Sequence, residues 1–300
     1  MLSPLVAGVD GSPESLAAAA WAAREAERRG RPLHLVHAGE WHARQEEREI
    51  VGAAQRHLAR RSLRQAEERV RAECPDLRLT DEQTEGRATA VLLKAADQAP
   101  LMALGSRGLS GFTGRLVGSV ALGVVAKSTR PVVLVRAGEE AADERAPAGD
   151  GGASTDTAYR DVVLGIDLDE APDEVVEFAF EAARLRHARL RVVHAWSTSG
   201  PIGLGSGDIG LLERSGRGEE WLGFLKAVLL VWRDKYPDVE VLETVVDDRP
   251  STALVRASTD AGLLVVGHRL AERPVGPRTG PVTHAAIHHV VCPVAVVPHF

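Results

Sequence analysis

Leu5-Val6-Ala7-Gly8-Val9-Asp10 stands near the start of the chain, and Val162-Val163-Leu164-Gly165-Ile166-Asp167 restates it 157 residues later. Working outward from this pair, Leu33-His34-Leu35-Val36-His37-Ala38 returns at the same offset as Leu190-Arg191-Val192-Val193-His194-Ala195. Further on the offset becomes 162. Cys74-Pro75-Asp76 then matches Tyr236-Pro237-Asp238, and Leu101–Arg107 matches Leu263–Arg269. Pro131–Val135 matches Pro293–Val297. Order and spacing are kept over all these landmarks with one change in length, so the chain reads as two copies of one domain.

Between the copies, Glu139–Ala158 has no Val, Ile, Leu or aromatic residue. Such a segment buries too little apolar surface to offset the entropy of ordering, so it is expected to be a flexible linker. The expected organisation is a first domain over 1–138, a linker over 139–158 and a second domain over 159–300.

Within each copy, short aliphatic runs alternate with longer segments of helical period. Leu5–Val9 is apolar on both faces. Ser12 then suits a helix N-cap with Pro13 at the first helical position, and Gly30 suits the end of that helix. The pattern predicts further strands at Leu33–Ala38, Leu77–Glu85, Leu101–Leu104 and Pro131–Arg136. The intervening helices fall at Arg48–Glu73, Thr89–Gln98 and Val117–Lys127. Strands apolar on both faces and separated by helices imply a parallel sheet covered on both sides. The fold class is α/β, with two tandem doubly wound domains. Such domains bind ligands beyond the carboxyl ends of the strands.

Composition narrows the function classes. Of the 300 residues 44% are hydrophobic and 26% charged, as in a globular chain, and the formal charge of -6 gives no global basic field for nucleic acid or anionic lipid. The longest uncharged apolar run, Leu116–Ala126, is shorter than the roughly 20 residues of a membrane span. Cys74 and Cys292 are the only cysteines and lack metal-site spacing. The apolar start lacks a basic leader. The expectation is a reduced, cytoplasmic protein with no membrane or nucleic-acid partner.

Two loops of the first copy, each after a strand, carry the residues suited to chemistry. One is Gly8-Val9-Asp10-Gly11-Ser12. The other runs Gly105-Ser106-Arg107-Gly108, then nine residues, then Gly118-Ser119. Glycine turns let backbone amides approach phosphate oxygens, and Gly118-Ser119 opens a helix whose free amides attract anions. The Ser119 hydroxyl adds a donor. Asp10, at the end of strand one, can accept hydrogen bonds from a ribose.

The spacing Gly105-x2-Gly108-x9-Gly118-Ser119, with Asp10 in Val-Asp-Gly-Ser, resembles the nucleotide-binding signature of the universal stress protein family. The resemblance covers both copies. It implies a five-stranded parallel sheet of order 3-2-1-4-5 with helices on both faces. It implies ATP as ligand, with Mg²⁺ or Mn²⁺ as a cation that could accompany it. Asp10 would meet the ribose, with Gly11 and Ser12 in the same loop, and the Ala38 backbone would face the adenine. Gly105, Gly108, Gly118, Ser119 and the Val120 backbone would hold phosphates and ribose. In single-copy relatives the resemblance places dimerisation at the fifth strand. A tandem chain can satisfy that edge internally as a pseudo-dimer and could still form a homodimer through other surfaces.

The second copy departs from the signature. Leu270 stands at the second glycine position, Pro281 at the serine and Leu168 at Gly11. Leu270 is expected to obstruct the phosphate path, and Pro281 lacks both an amide hydrogen and a hydroxyl. The second copy is therefore expected to be degenerate. Bland readings compete: Ser12 and Ser119 as plain caps, Asp10 as a structural cap, His37 and His194 as core residues. His284 and His288, one helical turn apart, lack a convincing third metal ligand, so no metal site is assigned. No Walker lysine or carboxylate–base pair specifies fast hydrolysis, and no catalytic residue is assigned. The expected function is an ATP-dependent sensor or interaction module for an unidentified protein partner. The alternative is a slow ATPase or nucleotidyl-transfer enzyme using the same loop.

Overall fold

The structure is a computed structural model that describes residues 2–39, 48–106, 117–149, 151–197, 208–270 and 279–300. The first half comprises β1 (Leu5–Gly8), α1 (Pro13–Arg28), β2 (Leu33–Gly39), α2 (Arg48–Glu73), β3 (Leu79–Glu85), α3 (Ala88–Asp97), β4 (Met102–Ser106), α4 (Ser119–Val125) and β5 (Val132–Arg136). The second half repeats it with β6 (Val162–Gly165), α5 (Asp173–Arg186), β7 (Leu190–Trp196), α6 (Asp208–Lys235), β8 (Val241–Asp247), α7 (Pro250–Ala257), β9 (Leu263–Arg269), α8 (Pro281–His289) and β10 (Val294–His299). Most boundaries lie within about two residues of the sequence reading. α1 begins at Pro13 as the sequence places it, because Ser12 is its N-cap and accepts the Ser15 amide at 3.2 Å. Gly30, at φ +60, takes the left-handed conformation that ends the helix.

All ten strands join one sheet, ordered β3-β2-β1-β4-β5-β10-β9-β6-β7-β8. Each half is parallel within itself, and the two meet where β5 pairs antiparallel with β10 in the register Val132↔Val296, Val133↔Ala295 and Leu134↔Val294. Side-chain character explains this join. In β3, an outer edge of the sheet, Thr80, Asp81 and Glu82 are exposed, and charged exposed edges resist pairing. In β5, Val132–Val135 are buried. Left as an edge, β5 would expose both aliphatic side chains and unpaired backbone groups.

The linker differs from expectation. Glu144 is 1% exposed, and its Oε1 accepts Arg24 Nε at 2.9 Å while Oε2 accepts Arg28 Nη2. Ala146 N donates to Ala158 O at 2.8 Å, Arg160 N donates to Glu144 O at 2.9 Å, and the Arg145 guanidinium lies 3.6 Å from the Tyr159 ring centroid. The physical reason is charge. Arg24, Glu25, Arg28 and Arg29 fall on one face of α1 and are buried or nearly so between the halves, where an unpaired ion is costly. Glu144 supplies a counter-charge from the linker. Arg186 of α5 supplies another across the join, donating to Glu25 Oε2 at 2.7 Å, and Arg29 Nη1 reaches Glu181 at 2.8 Å.

Among the described residues no helix is long and apolar enough to cross a membrane.

Candidate functional site

β1 ends at Gly8, and the chain turns through Val9, Asp10 and Gly11 into α1. Asp10 Oδ1 accepts from the Ser12 amide at 2.9 Å and the Ser12 hydroxyl at 2.6 Å, while Ser15 Oγ accepts the Asp10 amide at 3.3 Å. Burial raises the Asp10 pKa, but the hydrogen bonds its carboxylate accepts from Ser12, helped by the nearby Ser15 hydroxyl and His37, outweigh it, so the carboxyl is held below its ordinary value. Asp10 is thus ionised at neutral pH. It organises the turn and, with about four lone-pair positions on a carboxylate, keeps acceptor capacity for a ligand.

Gly11 makes this turn. Its φ is +83, and a Cβ there would lie 2.4 Å from Ser62 Oγ of α2. It does not line the cavity beside Asp10. Gly105 has a packing role as well: a Cβ there would lie 2.6 Å from the Glu14 carbonyl carbon and 2.7 Å from the Ser15 nitrogen. The start of α1 can press onto β4 only because this position lacks a side chain.

The structure brings most of the sequence-assigned residues around one cavity of about 280 Å3 at the carboxyl ends of β1 and β4. Asp10, Ser12, Ala38, Gly105, Gly118, Ser119 and Val120 line it. Its apolar walls are Val36, Leu92 and Leu104. Gly108 lies outside the described residues. Gly118 differs from Gly11 and Gly105: its φ of −58 suits any residue, and among the described residues a Cβ there would meet nothing within 4 Å. Its counterpart Gly280 has the same φ and likewise meets nothing among the described residues. α4 has only seven residues, so what it offers is the amides of its first turn rather than a long dipole; the Leu122 amide is the first to return to Gly118 O, at 3.1 Å.

His37 lies on the opposite face of β2 from Val36 and Ala38. Burial lowers its pKa, partly offset by the Val9 backbone and the Asp10 carboxylate. Its counterpart His194 is buried, with Nδ1 3.2 Å from Ile166 O and its ring against Trp221. The His284 and His288 ring centroids lie 4.3 Å apart with the planes tilted by 51°, and no group of three metal-ligating side chains occurs among the described residues.

The second half holds a larger cavity, about 380 Å3, at the corresponding end of β6 and β9. Pro281 lines it where Ser119 stands in the first half. Leu270 does not line it. The Leu270 amide donates to His299 O at 2.8 Å, so this residue continues the β9–β10 pairing instead of obstructing the space.

The universal stress protein family model matches residues 1–136 and 158–298. The chain belongs to that family. The universal stress protein Rv1996 of Mycobacterium tuberculosis is 31% identical over 97% of this chain and 94% of its own length. A second mycobacterial universal stress protein, Rv2623, is 30% identical over 88% of this chain and 86% of its own. Among solved structures, a universal stress protein from Archaeoglobus fulgidus covers 99% of this chain and 98% of its own with a TM-score of 0.70 at 17% identity, a likeness of fold. This universal stress protein therefore shares its tandem layout with relatives along nearly its whole length. The buried charges of α1 and the linker were missed by sequence reasoning. The signal was present as Arg24-Glu25 and Arg28-Arg29 one turn apart on a helix that is otherwise largely alanine.

Proposed function

We propose that this universal stress protein binds one ATP in the cavity of its first half and acts as a nucleotide-dependent sensor or interaction module. The observation that carries the proposal is the cavity at the carboxyl ends of β1 and β4, which brings the ionised Asp10 together with Gly105, Gly118 and Ser119, the described residues of both signature loops. Asp10 would accept from the ribose hydroxyls, and the Ala38 backbone would face the base between Val36 and Leu92. Base and sugar would fill the cavity. The phosphates would pass Gly105 and Gly118 toward the Ser119 hydroxyl and the Val120 amide, with Gly108 as the further glycine of the signature. Mg²⁺ or Mn²⁺ would accompany the phosphates rather than a protein ligand set. What ATP supplies when bound is a charged triphosphate whose presence sets the conformation of the surrounding loops.

The test is nucleotide analysis of freshly purified, heat-denatured protein with calorimetric titration of the emptied chain. Bound ATP and a stoichiometry near one support the reading. Two equivalent sites per chain, or no nucleotide and no binding, overturn it.

A further inference from the structure

The second half keeps a cavity at the same end of the sheet and changes its chemistry. Its floor is aliphatic, with Ile166, Val193 and Leu254, and its volume of about 380 Å3 exceeds that of the first half. It falls within the roughly 300–1,000 Å3 of small-molecule sites. A copy that had only lost its ligand could have filled this space with larger side chains and gained their dispersion contacts.

Among the described residues, the charged groups lining the cavity are Asp167, Glu170 and Arg269. Asp167 follows β6 as Asp10 follows β1, but Asp169 stands where Ser12 stands in the first half. Among the described residues Asp167 therefore receives only the Asp169 amide, at 3.2 Å, and no hydroxyl. Glu170 also lines the cavity. Arg269, a described guanidinium on the wall, is held by Glu170 at 2.6 Å. On the inner wall the Thr283 hydroxyl donates to Gly267 O at 3.0 Å, and the His299 ring lies beside Gly267. Pro281 brings neither an amide hydrogen nor a hydroxyl. Among the described lining residues, a phosphate entering here would face two carboxylates, Asp167 and Glu170, and one guanidinium already engaged. A protonated amine would find a carboxylate with open lone pairs above an apolar floor.

We propose that this second cavity binds a compact organic cation, a protonated amine on an aromatic or aliphatic body, with the ammonium on Asp167 and the body on Ile166, Val193 and Leu254. The proposal is independent of the nucleotide reading of the first half.

The test uses the full chain, methyl-labelled for NMR, and three probes of one shape: 2-phenylethylamine, 2-phenylethanol and phenylacetate. The amine should shift the methyl signals of Ile166, Val193 and Leu254 and leave those of Val36 and Leu92 unmoved. The alcohol should bind roughly tenfold more weakly, the order expected for loss of one hydrogen bond between charged groups, and phenylacetate more weakly still. Asp167→Asn should reduce amine affinity by about the same factor and leave the alcohol unchanged. Asp167 and Glu170 are both exposed, so Asp167→Asn and Glu170→Gln should leave folding intact. Glu170→Gln should weaken the amine and strengthen phenylacetate by releasing Arg269. Any of four results overturns the proposal: no shifts at millimolar amine, shifts in the first-half methyls instead, phenylacetate binding as tightly as the amine, or an amine affinity indifferent to Asp167→Asn.

Discussion

Replacing Glu25 by Gln removes the charge that holds three arginines at the join between the halves. Glu25 and Arg186 are each 1% exposed and meet at 2.7 Å; Arg29 Nε reaches Glu25 at 2.6 Å and Arg28 Nη1 at 3.3 Å. Burial raises the Glu25 pKa, but Arg186, Arg29 and Arg28 outweigh it and hold the carboxyl well below the usual carboxylate range. In Glu25→Gln, Arg186 keeps only its bond to Ala182 O, at 3.3 Å, as a described full-strength acceptor. Breaking a buried pair from one side costs about 3–5 kcal/mol, because the remaining charge stays buried without compensation. For a chain of this size that lowers Tm by roughly 6–20 °C. Denaturant melts at pH 7 should show the loss, and the Glu25→Gln/Arg186→Met double variant should recover much of it. Since the folded pKa is depressed, this stability is present above the unfolded value and is lost as pH falls toward the folded one, so the Glu25→Gln deficit should shrink in acid. A loss below about 1 kcal/mol, the size of an exposed pair, would refute the reasoning, as would a double variant no better than the single.

Glu139, 7% exposed, has its pKa raised to about 8, first by burial and then by Glu144 and Asp143. The folded state therefore holds a proton that the unfolded state releases, and stability falls as pH rises from about 4.5 toward 8; Glu139→Gln should flatten Tm across that window, and a parallel profile would contradict this. Gly118→Leu should abolish ATP binding by filling the open space, whereas Gly280→Leu should leave ATP affinity intact; calorimetry of both variants decides. ATP turnover should stay well below the roughly 1 s⁻¹ at the lower end of ordinary enzymes, and a faster rate that vanishes in Ser119→Ala would place the protein among enzymes. Residues 1–138 expressed alone should self-associate through β5, because its aliphatic edge has lost β10; a monomer at high concentration would count against edge complementarity as the force behind the join.

The repeat, the α/β class and most element positions were legible in the sequence, because they depend on local patterns. Aliphatic runs such as Leu5–Val9 and Val162–Ile166 specify buried strands, Ser12-Pro13 specifies a helix start, and Gly30 its end. The cavity residues were legible for the same reason: in a doubly wound sheet, loops after strands share one end, so Asp10, Gly105 and Gly118 had to converge. What a glycine is for was not legible. Gly11 serves a left-handed turn against Ser62, Gly105 serves the approach of α1, and Gly118 serves neither, distinctions set by neighbours distant in sequence. Leu270 was misjudged likewise, since its backbone pairs with His299 and its side chain leaves the cavity clear. The linker shows the limit most plainly. Its composition lacks the apolar residues that order a segment, yet Glu144 is buried because Arg24 and Arg28 of α1 need its charge. Local sequence determines which face of a helix carries charge. Only the tertiary structure decides which residue, more than a hundred positions away, must be buried to neutralise it.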